Sequence, residues 1–208
     1  MFVRAWYNGK KRKNASKIKL LALDVDGVLT DGSLNIGAEG ELFKAFNARD
    51  GLGLSCLLRS GVRVAIITGR KSAIIHRRAE ELGITELYEG IKDKRKILAD
   101  LAAAGGLGQE EIAYMGDDLN DLPALLYAGL ACAPADAAPE VIAASSFVAA
   151  NNGGRGAVRE AAEFILKAQG KWNEIVKCLY EAGTGRFTIM WLYYLLKKHE
   201  LDNQPPAL

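Results

Sequence analysis

The sequence predicts an α/β fold in which a parallel sheet is covered by helices on both faces. Three observations predict it. Short, almost wholly apolar runs recur along the chain, segments of helical pattern lie between them, and glycines stand just past the ends of four of those segments. A strand buried on both faces reads as such a continuous run, and a parallel partner strand needs a crossover long enough to hold a helix.

Strands are predicted, in order, over residues 18–25, 62–68, 112–115, 130–133 and 147–149, with helices over 52–60, 71–82, 93–104, 119–128 and 157–167. Gly61, Gly83, Gly105 and Gly129 follow four of the helices, where a left-handed residue is wanted. Between the first strand and the first helix lies an insert, residues 31–50, punctuated by Gly32, Gly37 and Gly40. Its segments 33–36 and 42–46 are placed to pair as a hairpin. From Gly170 the alternation stops. Residues 171–201 read as one or two helices interrupted at Gly183-Thr184-Gly185, then a tail. Trp172, Tyr180, Phe187, Trp191, Tyr193 and Tyr194 make that stretch aromatic, and an extra helical layer on the same subunit is its first expectation, ahead of a lid or a subunit contact. The domain map is a basic N-terminal extension (1–16), a main domain (17–169) carrying the hairpin insert, and a C-terminal helical extension (170–208).

With 208 residues, half of them hydrophobic, the chain is long enough to bury one sizeable core. Lys and Arg number 27 against 25 Asp and Glu, a net charge of +2, which gives no electrostatic case for nucleic acid. Cys56, Cys132 and Cys178 are odd in number and lack a CxxC pair, so a disulfide framework or a zinc site is not expected and three buried thiols in a reducing compartment are. Arg4, Lys10, Lys11, Arg12 and Lys13 precede no apolar run of signal-peptide length. The apolar run 187–196 is far short of the ~20 residues of a membrane span. A cytoplasmic protein with no membrane span is expected.

Three of the apolar runs end in polar clusters on their C-terminal side: Asp24-Val-Asp26-Gly-Val-Leu-Thr30-Asp31, Thr68-Gly69-Arg70, and Gly116-Asp117-Asp118-Leu-Asn120-Asp121. In open α/β sheets, ligands bind outside the carboxyl ends of the strands, so the three clusters converge on one crevice. A lone Asp after a strand usually caps the next helix. Asp residues gathered in two such clusters repel one another unless a cation joins them, and Asp24, Asp26 and Asp117 offer the hard oxygen ligands that Mg²⁺ prefers.

On these motifs the chain resembles the haloacid dehalogenase superfamily over nearly all of residues 17–169. The Asp24-Val-Asp26 segment, the Thr68-Gly-Arg turn, a lysine in Ile91-Lys-Asp-Lys94-Arg, and Gly116-Asp117-Asp118-Leu-Asn-Asp121 stand in the superfamily's order. The resemblance implies a three-layer, Rossmann-like sheet and a Mg²⁺-dependent phosphatase. Asp24 is then the nucleophile and Asp26 the general acid and base, bound to the ion through its backbone carbonyl. Asp117 is the third protein ligand, Asp118 and Asp121 are accessory acids, and Thr68 and Lys94 hold the phosphoryl oxygens. Lys94 is picked over Lys92 and Lys96 by the family spacing alone.

Superfamily members commonly carry a large cap over the crevice, and this chain has only the 31–50 insert. Residues 24–31, 46–51, 65–71, 78–84, 116–123 and 153–160 look like the small capless branch that hydrolyses 3-deoxy-D-manno-octulosonate 8-phosphate. That branch implies a phosphorylated sugar-acid substrate for lipopolysaccharide precursor synthesis and a homotetramer in which neighbouring subunits complete one another's sites. Arginines are expected at the sugar carboxylate: Arg70 and Arg78 first, with Arg49 and Arg155 as further candidates. The bland readings are a surface charge for Arg78 and a flexible loop for 153–156. A nine-carbon sialic-acid-type 9-phosphate is the alternative substrate, and a catalytically silent sugar-phosphate-binding or scaffold subunit is the alternative of another class.

Overall fold

A computed structural model describes residues 14–182. The chain divides into two compact units, Met1–Gln169 and Gly170–Leu208. The first holds a six-stranded sheet and a separate two-stranded hairpin. In chain order its elements are β1 (Leu20–Leu23), the hairpin strands β2 (Asn35–Gly37) and β3 (Gly40–Phe43), α1 (Ala48–Arg59), β4 (Arg63–Ile67), α2 (Ala73–Leu82), β5 (Glu86–Tyr88), α3 (Lys94–Ala104), β6 (Ile112–Met115), α4 (Leu122–Tyr127), β7 (Leu130–Ala133), α5 (Pro139–Ala144), β8 (Phe147–Val148) and α6 (Ala157–Ala168).

The sheet order is β5-β4-β1-β6-β7-β8, parallel throughout. β1 is central, which is why all four of its residues are buried and its sequence is uniformly apolar. From β1 the chain runs outward through β4 and β5, then returns to β6 on the other side of β1 and continues to β8. The order reverses beside β1, and that places the ligand crevice at its carboxyl end. On one face Leu20, Ala22, Ala65, Ile67, Ile112 and Tyr114 pack with Leu98, Leu101 and Ala102 of α3, Ala124 and Leu125 of α4, and Val141 of α5. Towards the other face, α1 packs on α6 and on β4.

The structure corrects the predicted elements in places. Residues 119–128 are not one helix: a 3₁₀ turn, Leu119–Asp121, precedes α4, with Pro123 at its start. Edge strand β5 and the short helix α5 were not predicted; the half-buried Glu-Leu-Tyr of β5 lacks the apolar run that marks the inner strands. Gly61 and Gly83 are left-handed as expected, but Gly105 is not, the positive φ falling on Gly106. Gly129 has no positive φ either; a Cβ there would lie 2.5 Å from Glu110 Cα. Cys56 and Cys132 are buried, and burial pushes the Cys132 thiol up to about 12, leaving it an inert core group.

The glycine-rich loop 153–156 is a packed brace. Gly154 N donates to Val28 O at 2.9 Å, and Gly153 N donates to the Asp136 carboxylate at 2.9 Å. Asp50 of α1, buried, accepts from Gly156 N and Arg159 N at 3.2 and 2.7 Å, so a side chain from another helix caps α6.

The second unit contains α7 (Trp172–Ala182), where Cys178 is half-buried rather than buried. The interruption at Gly183-Thr184-Gly185, the aromatics Phe187, Trp191, Tyr193 and Tyr194, and the basic residues Arg4 to Lys13 lie outside the described residues.

A Cβ on Gly153 would fall 1.8 Å from the carbonyl oxygen of Gly27, backbone against backbone. Gly153→Ala is therefore expected to cost about 1–3 kcal/mol in denaturant unfolding and to lower any turnover that depends on Asp26 by displacing the loop that carries it. Gly61→Ala, at φ +81° in open space, is expected to cost roughly 1 kcal/mol with turnover unchanged.

Candidate active site

Asp24 follows β1, Thr68 follows β4 and Asp117 follows β6, so three adjacent strands deliver three polar groups to one end of the sheet. The crevice there is a cavity of about 270 Å³ lined by Asp24, Asp26, Gly32, Leu34, Thr68, Gly69, Arg70, Asp117, Asp118 and Asn120. Its backbone is tightly fitted: Gly27 has φ +86°, and a Cβ on it would lie 1.9 Å from Asp117 Oδ2.

Lys94 opens α3 and is buried, its Nζ 2.8 Å from Asp24 Oδ2 and 2.7 Å from Asp121 Oδ1. The structure thus separates the three candidate lysines, since Lys92 and Lys96 are exposed and Lys96 pairs with Asp100 along its own helix. Asp121 has no exposure at all. Its Oδ1 also accepts from Tyr114 Oη at 2.7 Å, and its Oδ2 accepts from Asp117 N at 3.1 Å. Asp118, exposed at the rim, accepts from Leu119 N and so does the capping work that a lone Asp after a strand does.

Oxygens of Asp24, Asp117 and Asp121 lie within 4.8 Å of one another. The oxygens of Asp121 are already engaged, whereas Asp117 Oδ1 is buried with no hydrogen-bond partner among the described residues. An orphaned oxygen on a carboxylate that lies this close to a second one fits a hard divalent cation, for which Asp24 and Asp117 would be the side-chain ligands. The charge balance agrees. Burial, helped by Asp121, pushes Asp24 up to about 6 despite Lys94, and burial with Asp121, Asp24 and Asp118 pushes Asp117 up to about 7.

Thr68 is buried, and its Oγ1 accepts from Arg70 N at 3.4 Å. Arg70 lines the cavity with its Nε 3.9 Å from Asp26 Oδ2. The other candidate arginines do not line it. Arg78 pairs with Glu81 at 2.7 Å and lies over the Phe46 ring, Arg155 reaches Asp31 at 3.3 Å on the surface, and Arg49 is exposed on α1.

One residue went unmarked in the sequence. Lys44, just past β3, is buried, and its ammonium pairs with Asp26 Oδ1 and with Glu41 at 3.1 Å. Nothing in the hairpin's own pattern marks it, because its partner Asp26 lies eighteen residues upstream.

A carboxyl whose pKa rises on folding binds more protons in the folded chain than in the unfolded one. Metal-free stability therefore falls as pH rises from the ordinary 3.8 through about 6 and 7. A bound cation offsets that loss only where the carboxyls are ionised. Mg²⁺ at a hundredfold excess over its Kd is expected to raise Tm by roughly 5–10 °C at about pH 8 and by much less near pH 5.5. Scanning calorimetry of wild type and Asp117→Asn at both pH values checks this, the variant losing most of the shift.

A family model described as haloacid dehalogenase-like hydrolase matches residues 83–161. The 3-deoxy-D-manno-octulosonate 8-phosphate phosphatase KdsC of Escherichia coli (strain K12) is 49% identical over 160 residues, covering 77% of this chain and 85% of the relative. Among solved structures, the 3-deoxy-D-manno-octulosonate 8-phosphate phosphatase of Moraxella catarrhalis, in complex with a magnesium ion, a phosphate ion and a KDO molecule, is 43% identical. It superposes with a TM-score of 0.79 over 81% of this chain and 97% of that one. The cobalt-bound deoxy-D-mannose-octulosonate 8-phosphate phosphatase of Haemophilus influenzae is 44% identical, with a TM-score of 0.74 over 76% and 92% of the two chains. With motifs, sheet and relatives in agreement, the chain belongs to the haloacid dehalogenase superfamily, in the branch of the 3-deoxy-D-manno-octulosonate 8-phosphate phosphatases.

Proposed function

We propose that this chain hydrolyses 3-deoxy-D-manno-octulosonate 8-phosphate to the free sugar acid and phosphate, with Mg²⁺ held by Asp24 and Asp117, in lipopolysaccharide precursor synthesis in the cytoplasm. The observation that carries the reading is the close pair of carboxylates Asp24 and Asp117, the latter with one oxygen unpartnered among the described residues, in a cavity that Thr68 and Arg70 also line. A relative 43% identical holds a magnesium ion, a phosphate ion and KDO.

The Asp24 carboxylate attacks phosphorus as the ester P–O bond breaks, and Asp26 gives its proton to the departing alkoxide. Asp26 then takes a proton from water, the water oxygen bonds to phosphorus, and the P–O bond to Asp24 breaks to release phosphate. Thr68 and Lys94 steady the phosphoryl oxygens, Lys94 supplying fixed positive charge where negative charge spreads over three oxygens. Bound Mg²⁺ supplies further neutralisation of that charge. Asp121 and Tyr114 keep Lys94 in place from behind. Arg70, on the wall beside Asp26, receives the sugar acid, and a carboxylate is its natural partner.

The same reading covers assembly. Leu34, Ile36, Leu42 and Phe43 of the hairpin region are 50%, 59%, 66% and 54% exposed, a concentration of apolar surface on a short two-stranded sheet with open edges. A closed homo-oligomer, a tetramer by resemblance to the branch, buries that surface and gives the crevice its second wall. Arg49, Arg78 and Arg155, outside the cavity of the single chain, are then candidates for the sugar-acid surface of a neighbouring site.

Asp24→Asn is expected to fold normally and to lose on the order of 10⁴-fold or more in kcat, measured as phosphate release, since the amide neither attacks nor binds the cation as a charge. Ca²⁺ in place of Mg²⁺ is expected to inhibit, because its looser coordination spoils in-line geometry. Residual turnover within tenfold of wild type removes Asp24 as the nucleophile. Deleting residues 33–41 is expected to give smaller species by sedimentation velocity that retain activity on 4-nitrophenyl phosphate and lose most of it on the sugar-acid phosphate.

A further inference from the structure

Lys44 and Glu41 tie the hairpin to two loops of the crevice at once. The Lys44 ammonium, its side chain only 2% exposed, pairs with Asp26 Oδ1 and lies 3.1 Å from Glu41 Oε1. The other oxygen of Glu41 accepts from the Ser72 hydroxyl, which caps α2 at Ile75 N, and Ser72 N donates to Glu89 at 2.8 Å. One unbroken polar chain therefore runs from the loop after β1, through the hairpin, to the loop after β4. A buried cation so exactingly paired is costly to place unless its partners hold it, and this one is placed against the acid two residues after the nucleophile.

We infer that Lys44, braced by Glu41 and Ser72, is a positioning residue that aims the Asp26 carboxyl at the leaving-group oxygen. An ammonium has three donors and no acceptor, so an oxygen bonded to it cannot present a hydroxyl proton to it. With Oδ1 engaged by Lys44, the proton that Asp26 transfers is carried on Oδ2, the oxygen on the side of Arg70, which lines the cavity. Without Lys44 the carboxyl rotates freely about its own bond, and the acid is present but misdirected. The hairpin thus has a task inside its own subunit besides offering apolar surface to a neighbour.

This inference rests on Asp26 being the general acid, and a leaving-group comparison separates the two claims. Protonation of the leaving group matters for phenyl phosphate and hardly at all for 4-nitrophenyl phosphate, whose phenolate leaves unaided. Lys44→Met keeps the stem that packs and removes the charge. It is expected to lower kcat on phenyl phosphate at least ~10-fold more than on 4-nitrophenyl phosphate, with KM for both within a few-fold of wild type, against the ~10²–10⁴ that general acid catalysis typically supplies. Lys44→Arg should restore part of the difference, and Asp26→Asn/Lys44→Met should be no more leaving-group sensitive than Asp26→Asn alone. If Lys44→Met does not fold, Glu41→Gln, which loosens the brace and leaves the lysine, is expected to move the same ratio in the same direction. Equal slowing of both substrates, or none, overturns the positioning role. Should Asp26→Asn itself leave the ratio of the two substrates unchanged, Asp26 is not the acid, and the inference about Lys44 falls with that reading.

Discussion

The site depends on one buried ammonium. Lys94 stands between Asp24 and Asp121 at 2.8 and 2.7 Å, in a crevice where Asp117 adds a third carboxylate close by. Three carboxylates this close, largely withdrawn from water, do not all stay ionised on one cation, and the upward displacement of Asp24 and Asp117 records that deficit. Removing the lysine would leave buried charge uncompensated, a loss of about 3–5 kcal/mol for a buried pair. The remaining deficit is what a divalent cation fills.

Around that centre the sheet supplies rigidity and the loops supply chemistry. β1, β4 and β6 are adjacent, parallel and in fixed register, so the positions just past their ends cannot move independently. The loop after β1 is held from two sides. The 153–156 loop packs so closely on Gly27 and Thr30 that no side chain fits between them, and the hairpin reaches back through Lys44 to Asp26. Asp50 joins these supports by capping α6 directly behind the glycine-rich loop.

The single chain leaves the sugar side of the crevice sparsely furnished. Its cavity of about 270 Å³ is at the small end for a whole sugar acid, and only one of the candidate arginines lines it. The apolar hairpin beside it and the arginines beyond it are what motivates the proposed division of labour, phosphate chemistry within the subunit and sugar recognition shared with a neighbour.

The sequence by itself determined the inner strands and the residues at their ends. Buried parallel strands must be apolar along their whole length, so β1, β6 and β7 stand out as runs, and a carboxylate just past such a run is conspicuous, as Asp24 and Asp117 are. The half-buried β5 and the short α5 carry too few core positions to make a periodic signal. What only the tertiary structure decided was pairing between residues far apart in the chain. Family spacing already picks Lys94 over Lys92 and Lys96, but what buries it and holds it is visible only in the fold, because its partner Asp121 lies twenty-seven residues on. Asp118 and Asp121 look alike in the sequence, yet one is an exposed cap and the other the buried anchor of a lysine. Lys44 reads as one more charge in a polar hairpin until the chain folds back and sets it on Asp26. Periodicity is a local property and is written in neighbouring residues, whereas the partner of a buried charge is fixed only when the loops meet.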